Sequence, residues 1–485
     1  MSDDLVVRGG ACGIAVRIEE LERASVVLRG VGSEVVETAA ALALTAAEPS
    51  LALAGVVAPV EYAAAEWAIL GCARGGAGLG AEVVATGVTT RAALAAYVAG
   101  EAAVDGLLDG AATSLGIAVG AVGAPVVVGA GIALAPAVVI ALEVPGAREA
   151  AVAVGLGAGQ EIDEILLDHP WLVPAAADGL DGLVLGAGLG LPALGTWLSW
   201  RSGRLGIPYP PRNREQALAV VLATTRGALL DESDHVVSVR ALPQASGPAP
   251  RTVADLVAAD GPTSGGSRVR VTGIPRPDGT WTWVVDVPGT QTFDPRAGDN
   301  PWDLTSNALL SAEQQTLTMQ AVARALADAQ RRTGSRGRGR VMLTGHSQGG
   351  ITAAALAADR SFRARHEVTH VVTSGAPIAS LDVPEDVSVL SLEHAEDLVP
   401  GLDGHDNPDR ESWVTVRRAV APGIGPDGGA TDAHDLDRYA ETARLVDASD
   451  DPSLVAWKEG ARDLLDGAGG DAVTIDYDIE RVRRG

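Results

Sequence analysis

A tight strand–turn–helix pattern in the second half of the chain constrains the fold most. Gly345-His346-Ser347-Gln348-Gly349-Gly350 follows the apolar stretch 341–344 and precedes small residues that begin at Ile351. A serine in this setting is typical of a nucleophile elbow, whose turn is so sharp that side chains at the flanking glycines would clash. The pattern predicts that Ser347 projects above a sheet, between Gly345 and Gly349, near a helix amino terminus.

Strand and helix patterns alternate on both sides of this turn. Helices are predicted at 215–230, 252–259, 312–331 and 351–358, and strands at 236–242, 268–272, 280–287, 340–344, 370–373 and 387–392. The turn Pro277-Asp278-Gly279 separates two of the strands. This alternation predicts a mostly parallel sheet with flanking helices, and we assign residues 204–485 to an α/β-hydrolase catalytic domain.

A serine hydroxyl is a weak nucleophile at neutral pH and needs a general base that an acid orients. In this fold the acid follows the nucleophile along the chain, at the end of a later strand, and a histidine comes last. Asp397 stands where such an acid is expected. The same acidic stretch offers three rival carboxyl groups, which are Glu393, Glu396 and Asp403.

His434 is the predicted base, because it opens a helix late in the chain and a loop before that helix could place its imidazole over the sheet edge. His405 is the alternative, and His394 lies close to the acid itself. The oxyanion of an acyl-transfer intermediate needs two N–H donors. We assign these to the backbone of Gln348, next to the nucleophile, and of Thr290, which follows the predicted strand 283–287.

Several segments of the second half resemble the class 3, fungal-type triacylglycerol lipases. The matching segments are Pro288-Gly289-Thr290, Trp302-Asp303, the 345–350 turn, Thr373-Ser374-Gly375-Ala376-Pro377, Asp397-Leu398-Val399-Pro400 and His434, within residues 268–445. The resemblance supports Asp397 over its rivals. Pro288 replaces the usual Arg, Gln348 replaces the usual Leu, and no aromatic lid helix follows Trp302. These differences weigh against interfacial activation and a long-chain lipid preference.

Residues 1–108 are predicted to form a helical hairpin. Leu21, Leu28, Val35 and Leu42 recur every seven residues and would form one apolar stripe, which ends near 48–50. A second helix is predicted from Pro59 toward Val104. Such a hairpin leaves an apolar seam exposed, and we expect a helical-hairpin partner or self-association to cover it.

This N-terminal part resembles the helical-hairpin substrates of actinobacterial type VII secretion. Those proteins carry Tyr-x-x-x-Asp/Glu near the end of the second helix, and Tyr97 and Glu101 fit that spacing. Tyr62 and Glu66 fit it too, and the Trp-x-Gly turn of the family is absent at Trp67. The start of the chain also lacks the basic and apolar regions of an ordinary signal peptide. The resemblance implies a secreted or cell-envelope protein; the alternative is a cytoplasmic one.

Residues 109–203 form a Gly- and Ala-rich hydrophobic segment. Stretches 110–142 and 182–200 carry no charged side chain, and the second ends at Trp197, Trp200 and Arg201. Both are long enough to cross a bilayer, which takes about 20 apolar residues. Two interpretations stay open, membrane contact through 110–200 or a helical pair buried inside the protein.

Composition removes several functional classes. A formal net charge of −25 argues against nucleic acid as a partner, because phosphate contacts need Lys and Arg. Cys12 and Cys72 lie far from the predicted site and are expected to be small buried residues rather than a disulfide bridge. We expect no metal and no cofactor.

These features together predict a serine hydrolase that cleaves carboxylic esters of a lipid-like substrate with Ser347, Asp397 and His434. One alternative keeps this triad but acts on small soluble esters or thioesters. The other is a membrane- or secretion-associated scaffold whose hydrolase fold is inactive.

Overall fold

The computed structural model of the chain describes residues 5–46, 48, 58–129, 177, 179–227, 229–264, 266–335, 339–420, 430–466 and 470–484. The chain divides into two compact units, which we describe separately. A sheet unit contains residues 1–13 and 108–485, and a hairpin unit contains residues 14–107. Much of the predicted hydrophobic segment 109–203 lies outside the described residues, namely 130–176 and 178.

The sheet unit is built on one sheet of ten strands. Along the sheet they follow the order β1-β9-β8-β7-β6-β5-β4-β10-β2, with β3 paired to β10. The strands are β1 Leu5–Gly9, β2 His235–Ala241, β3 Ala245–Gly247, β4 Arg268–Pro275, β5 Trp281–Val287, β6 Arg340–His346, β7 Glu367–Ser374, β8 Ser388–His394, β9 Trp413–Arg418 and β10 Ala472–Arg483.

The sheet is mixed, and this corrects the prediction of a mostly parallel one. The four pairs from β5–β6 to β8–β9 are parallel. The pairs β4–β5, β4–β10, β2–β10, β3–β10 and β1–β9 are antiparallel. The short Pro277-Asp278-Gly279 connection imposes one of these pairs, because two strands joined by a tight turn can pair only as an antiparallel hairpin.

Strand β1 adds the first residues of the chain to the edge of the sheet. Leu5–Gly9 pair with Arg418–Val414 of β9 in antiparallel register. A short 3-10 turn, Gly10–Cys12, follows. The N-terminal strand therefore belongs to the sheet unit, whereas the sequence placed it within a helical domain spanning 1–108.

Helices cover both faces of the sheet, as central parallel strands require. The helices are α1 Ile14–Thr45, α2 Pro59–Gly129, α3 Leu180–Gly190, α4 Pro192–Arg204, α5 Arg214–Thr225, α6 Val253–Ser264, α7 Leu304–Ser311, α8 Leu317–Arg332, α9 Gln348–Ala358, α10 Arg360–Arg363, α11 Ala430–Ala433, α12 Leu436–Ala448 and α13 Pro452–Leu465. Alternate residues of β6 show the division between the two faces: Val341 and Leu343 lie on the side of α8 and α9, and Met342 lies on the side of α6, α12 and α13.

The hairpin unit consists of α1 and the first part of α2, which pack antiparallel through small residues. A Cβ atom added to Gly80 would lie 2.7 Å from the carbonyl oxygen of Gly32, and one added to Gly87 would lie 2.7 Å from that of Ser25. Ser25, Gly32 and Ala39 of α1, and Ala46 directly after it, are buried positions at this seven-residue spacing. The two backbones therefore approach closely because no large side chain separates them.

The predicted apolar stripe is partly exposed, in line with the expectation that the hairpin leaves an apolar seam uncovered. Leu21 is 47% exposed and Leu42 is 36% exposed. Val27, Leu44 and Trp67 are also exposed large apolar residues of the hairpin unit. The contact between the two helices is made instead by the small residues four positions after the large ones.

The stretch 182–200 forms two short helices rather than one long one. Leu191 and Pro192 separate α3, of 11 residues, from α4, of 13 residues. Each is shorter than the roughly 20 residues that cross a bilayer. Asp181 accepts a hydrogen bond from the Thr113 hydroxyl at 3.2 Å, and Val184 and Leu198 pack with α5 in a small apolar cluster.

Among the described residues, one helical stretch, Pro59–Val98, is long and apolar enough to cross a membrane. Within its most apolar 18-residue window, 11% is buried inside the structure. A single such helix is weak evidence, because core helices and signal sequences meet the same criteria.

We predict that Gly80→Ala and Gly78→Ala have opposite effects on the hairpin unit. The methyl group at 80 would push against the Gly32 carbonyl and destabilise the hairpin by about 1–3 kcal/mol. The methyl group at 78 meets nothing within 4 Å, so it should stabilise the helix by about 0.5–1 kcal/mol. Thermal unfolding followed by circular dichroism at 222 nm, with hydrogen exchange of α1 and α2, measures both. Equal stability of the two variants would refute close packing at Gly80.

Candidate active site

The turn between β6 and α9 holds Ser347 in a strained conformation. Its φ of 54° and ψ of −124° are unusual for a residue with a side chain. A Cβ atom at Gly345 would overlap the backbone of Gly349, and one at Gly349 would overlap the carbonyl group of Val287. The predicted turn is therefore present, and both flanking glycines are needed for close backbone approach.

The end of β7 fixes this turn from the other side. The backbone N–H of Ser347 donates to the carbonyl oxygen of Ser374 at 2.9 Å. Gly375 follows with a φ of +59°, and a Cβ atom there would lie 2.9 Å from Asp397 Oδ2 and 3.0 Å from the His434 ring. The segment 373–377 thus lies between the nucleophile turn and the predicted acid and base.

Asp397 is the carboxylate that contacts the predicted base. Its Oδ2 atom lies 2.8 Å from His434 Nδ1 and accepts a hydrogen bond from the Tyr439 hydroxyl at 2.6 Å. Its Oδ1 atom accepts one from the Val399 backbone at 2.9 Å. Burial alone would raise the pKa of Asp397, but attraction to His434 and these three hydrogen bonds lower it below its usual value. The carboxylate therefore stays ionised at neutral pH.

The three rival carboxyl groups serve other contacts. Glu393 accepts from Asn407 Nδ2 at 2.5 Å, and burial raises its pKa to about 7. Glu396 caps the backbone N–H of Val420, at 2.8 Å. Asp403 accepts from the backbone of Ala379, and burial raises its pKa to about 6. None of these contacts involves His434, so the geometry singles out Asp397.

The imidazole of His434 is positioned by two contacts of its own residue. Its Nδ1 atom faces Asp397, and its backbone carbonyl oxygen lies 2.9 Å from His346 Nε2. A carbonyl oxygen can only accept, so His346 carries its proton on Nε2. Burial, and then the charge of His434, lower the pKa of His346 to about 3, which keeps this ring neutral. The two rings are 4.5 Å apart, which places His434 beside the residue that precedes the nucleophile.

The other two predicted histidines have different surroundings. His394 is buried between the carbonyl oxygen of Ala433 at 2.6 Å and the hydroxyl of Thr442 at 2.7 Å, and it stacks on Tyr439. It thereby supports the residue that donates to Asp397. His405 lines an open cavity of about 520 Å³, together with Asn213, Glu215, Gln216, Glu313 and Ser380. Among the residues that the structure describes, no three or more His, Cys, Asp or Glu side chains are grouped to hold a metal ion.

The two predicted oxyanion donors lie in segments that the structure brings to the nucleophile. Gln348 begins α9, where backbone N–H groups lack helical partners. A Cβ atom added to Gly289 would lie 3.5 Å from Ser347 Cβ, so the segment that carries Thr290 is adjacent to the serine. The hydroxyl of Thr290 accepts from Asn307 Nδ2 at 2.9 Å.

A buried ion cluster beneath this segment was not predicted from the sequence. Arg481, in the last strand, contacts Asp303 through Nη2 at 3.2 Å and Glu232 at 2.8 Å, and its side chain has no exposed surface. Asp303 also caps α7 by accepting from the backbone of Ser306, and its carbonyl oxygen accepts from Gln348 Nε2 at 3.0 Å. No local sequence signal could have found this cluster, because its three charges are distant along the chain.

We predict that Arg481→Met destabilises the sheet unit by about 3–5 kcal/mol. The variant would leave the buried carboxylates of Glu232 and Asp303 without their cation, and the uncompensated charge is the main cost. Arg240→Met is a matched control, because Arg240 is an exposed strand residue paired to Asp478 and should change stability by less than about 1 kcal/mol. Urea unfolding measures both, and similar midpoints would contradict the prediction.

Comparison with known proteins does not supply a family for this chain. A scan against protein-family models gives no match. Searches of the curated proteins and of the solved structures give no match either. The functional argument therefore starts from the geometry around Ser347, Asp397 and His434.

Proposed function

We propose that this chain is a serine ester hydrolase of the α/β-hydrolase type. The observation that carries the proposal is the 2.8 Å contact of Asp397 with His434, beside a serine held at a φ of 54° between a strand and a helix. A strained serine, an imidazole and an ionised carboxylate are the three groups that acyl transfer through a serine requires.

The arrangement of the strands supports the fold assignment. Ser347 follows β6, Asp397 follows β8 and His434 follows β9 along the chain. These strands belong to the parallel part of the sheet, so their carboxyl ends share one edge. The chain order serine, acid, histidine is that of the α/β hydrolases. The antiparallel strands lie outside this part, at its two sides.

Each group has a distinct task in the proposed reaction. The Ser347 hydroxyl attacks the ester carbonyl carbon, and His434 takes its proton and later delivers it to the leaving alcohol. Asp397 holds the imidazole through Nδ1 and stabilises its charged form. The backbone N–H groups of Thr290 and Gln348 stabilise the oxyanion. Water then attacks the acyl-enzyme, with His434 again as the base, and releases the acid.

A lipid-like ester is the first candidate substrate, because the matching segments are those of the class 3 lipases. A small soluble ester or thioester is the second. Two observations favour the second candidate: the buried Gln348 amide occupies a position where those lipases carry Leu, and α7 contains no aromatic residue. A series of nitrophenyl esters of increasing acyl length separates the two, because rates that rise with chain length indicate the lipid-like substrate.

We predict that a fluorophosphonate probe labels the wild-type chain at Ser347. Ser347→Ala should abolish labelling, and His434→Ala should slow it by roughly 100- to 10,000-fold, since the hydroxyl then lacks its base. Ser380→Ala is the matched control, because this serine lines the cavity with His405 and should leave labelling unchanged. In-gel fluorescence and mass spectrometry of the labelled peptide measure the outcome. An unlabelled wild type would favour the inactive scaffold, and labelling of Ser347→Ala would exclude this nucleophile.

We also propose that the chain is exported by type VII secretion and that the hairpin unit carries the signal. The antiparallel pair α1–α2 and the exposed Tyr97 side chain support the resemblance from which this proposal comes. The exposed apolar residues of the unit fit a hairpin partner, a second copy or a membrane surface as the contact.

We predict that Tyr97→Ala prevents export from a host with type VII secretion. The secretion apparatus would no longer recognise the tyrosine motif, and the protein would be retained in the cells. Tyr62→Ala is the matched control, since Tyr62 has the same spacing to an acid but lies near the start of α2. Immunoblots of medium and cells measure the distribution. Equal export of both variants would contradict the assignment of Tyr97.

A further inference from the structure

Two buried carboxyl groups next to the nucleophile turn have no task in the proposed reaction. Asp260 lies in α6 and is 3% exposed, and Asp286 lies near the end of β5 and is 1% exposed. Acidic side chains are rarely buried this deeply unless they are paired. Their position therefore needs an explanation in terms of the groups that they contact.

The contacts of this pair lead directly to the nucleophile turn. The carboxyl groups of Asp260 and Asp286 are hydrogen-bonded to each other, and Asp260 also accepts the backbone N–H of His346. Asp286 Oδ1 accepts from the Thr344 hydroxyl at 3.0 Å. The pair thus joins α6 and β5 to the residue that immediately precedes Ser347.

Two carboxyl groups can form a hydrogen bond to each other only if one of them holds a proton. Burial first, and then the neighbouring charge of Asp286, raise the pKa of Asp260 well above its usual value. The proton belongs to the pair, which carries one negative charge. Other charged or titratable groups near the pair are His346 on β6 and Arg270 on β4, whose ion-pair partner is Asp476 on β10. Asp447 on α12 accepts backbone N–H groups at the start of α6.

We propose that Asp260 is a positioning residue for the nucleophile, because its carboxyl group bridges Asp286 to the backbone N–H of His346. The proposal rests on the proposed serine hydrolase function. The strained turn needs its backbone groups fixed on both sides of the serine. Ser374 fixes the N–H of Ser347 on one side, and Asp260 fixes the N–H of His346 on the other. The proton that the pair shares maintains this bridge.

Asp260→Ala removes the bridge and should lower kcat for a nitrophenyl ester by roughly 10- to 100-fold, with KM changed little, because the serine is displaced from its base. Leu256→Ala is the matched control: Leu256 is buried in the same helix and packs in the apolar cluster under the sheet. It should lower the unfolding temperature while leaving kcat close to wild type well below that temperature. An equal loss of kcat in both variants would mean that α6 acts only through stability, and the proposal would be wrong.

Asp286→Asn tests the shared proton while keeping a side chain of similar size that can still form hydrogen bonds. Its Oδ1 can accept from Thr344, and its N–H can donate to Asp260, which then accepts two donors as a carboxylate. The variant keeps one negative charge and should retain kcat to within about threefold of wild type. Activity is expected to persist because the hydrogen bonds persist.

The pH dependence of stability gives a second measurement. The pKa of Asp260 is raised on folding, so the stability that its proton provides is complete below the unfolded value of about 4 and is lost as pH rises through the folded pKa. The urea midpoint of the wild type should therefore fall more with rising pH than that of Asp286→Asn. Glu393 and Asp403, with pKa values of about 7 and about 6, titrate in both proteins, so the difference isolates the pair.

The outcomes separate this inference from the proposed function. A wild type that no fluorophosphonate labels overturns the hydrolase itself. A labelled wild type with normal kcat in Asp260→Ala overturns the positioning role alone. If Asp260→Ala does not fold, Asp286→Asn decides: a loss of kcat above tenfold, or a midpoint that falls with pH as in the wild type, refutes the shared proton.

Discussion

The close approach of three backbone segments around Ser347 is the constraint on which the proposed site depends. The carbonyl group of Val287 at the end of β5 approaches Gly349, and the carbonyl oxygen of Ser374 at the end of β7 accepts the N–H of Ser347. A residue with a positive φ costs about 1–3 kcal/mol and persists only where its surroundings fix it. The packing of the central parallel strands fixes this backbone, so the conformation of the serine turn depends on the folded sheet.

Buried charges surround this turn, and each is compensated in a different way. Asp397 remains ionised because three hydrogen-bond donors face it, namely His434, Tyr439 and the backbone of Val399. The ion pair between Arg481 and Asp303 joins the last strand to the segment after β5 that carries Trp302. Asp260 and Asp286 share a proton. These groups hold strand ends and loops at fixed positions in a low-dielectric interior, where hydrogen bonds are strong and unpaired groups are costly.

The differences between the predicted and the observed fold have identifiable causes. The alternation of strands and helices located the central strands, but the edges of the sheet depend on pairing partners far away in sequence. Strand β10 inserts between β4 and β2, and β1 pairs with β9 across most of the chain. In the hairpin unit, the pattern of large apolar residues gave the period but not the contact, because packing distance favoured Gly32 and Gly80 over the larger neighbours.

Local sequence alone determined the serine turn, because the sharp bend requires glycines at 345 and 349, and these are visible without a structure. The sequence also narrowed the acid and the base to a few side chains. Only the tertiary structure distinguishes Asp397 and His434 from the other candidates, because it brings them into contact at 2.8 Å from separate elements. The tertiary structure also revealed the contacts of Tyr439, Arg481 and Asp260, which depend on burial and on partners that are remote along the chain. Burial and pairing are properties of the folded core, and no local pattern encodes them.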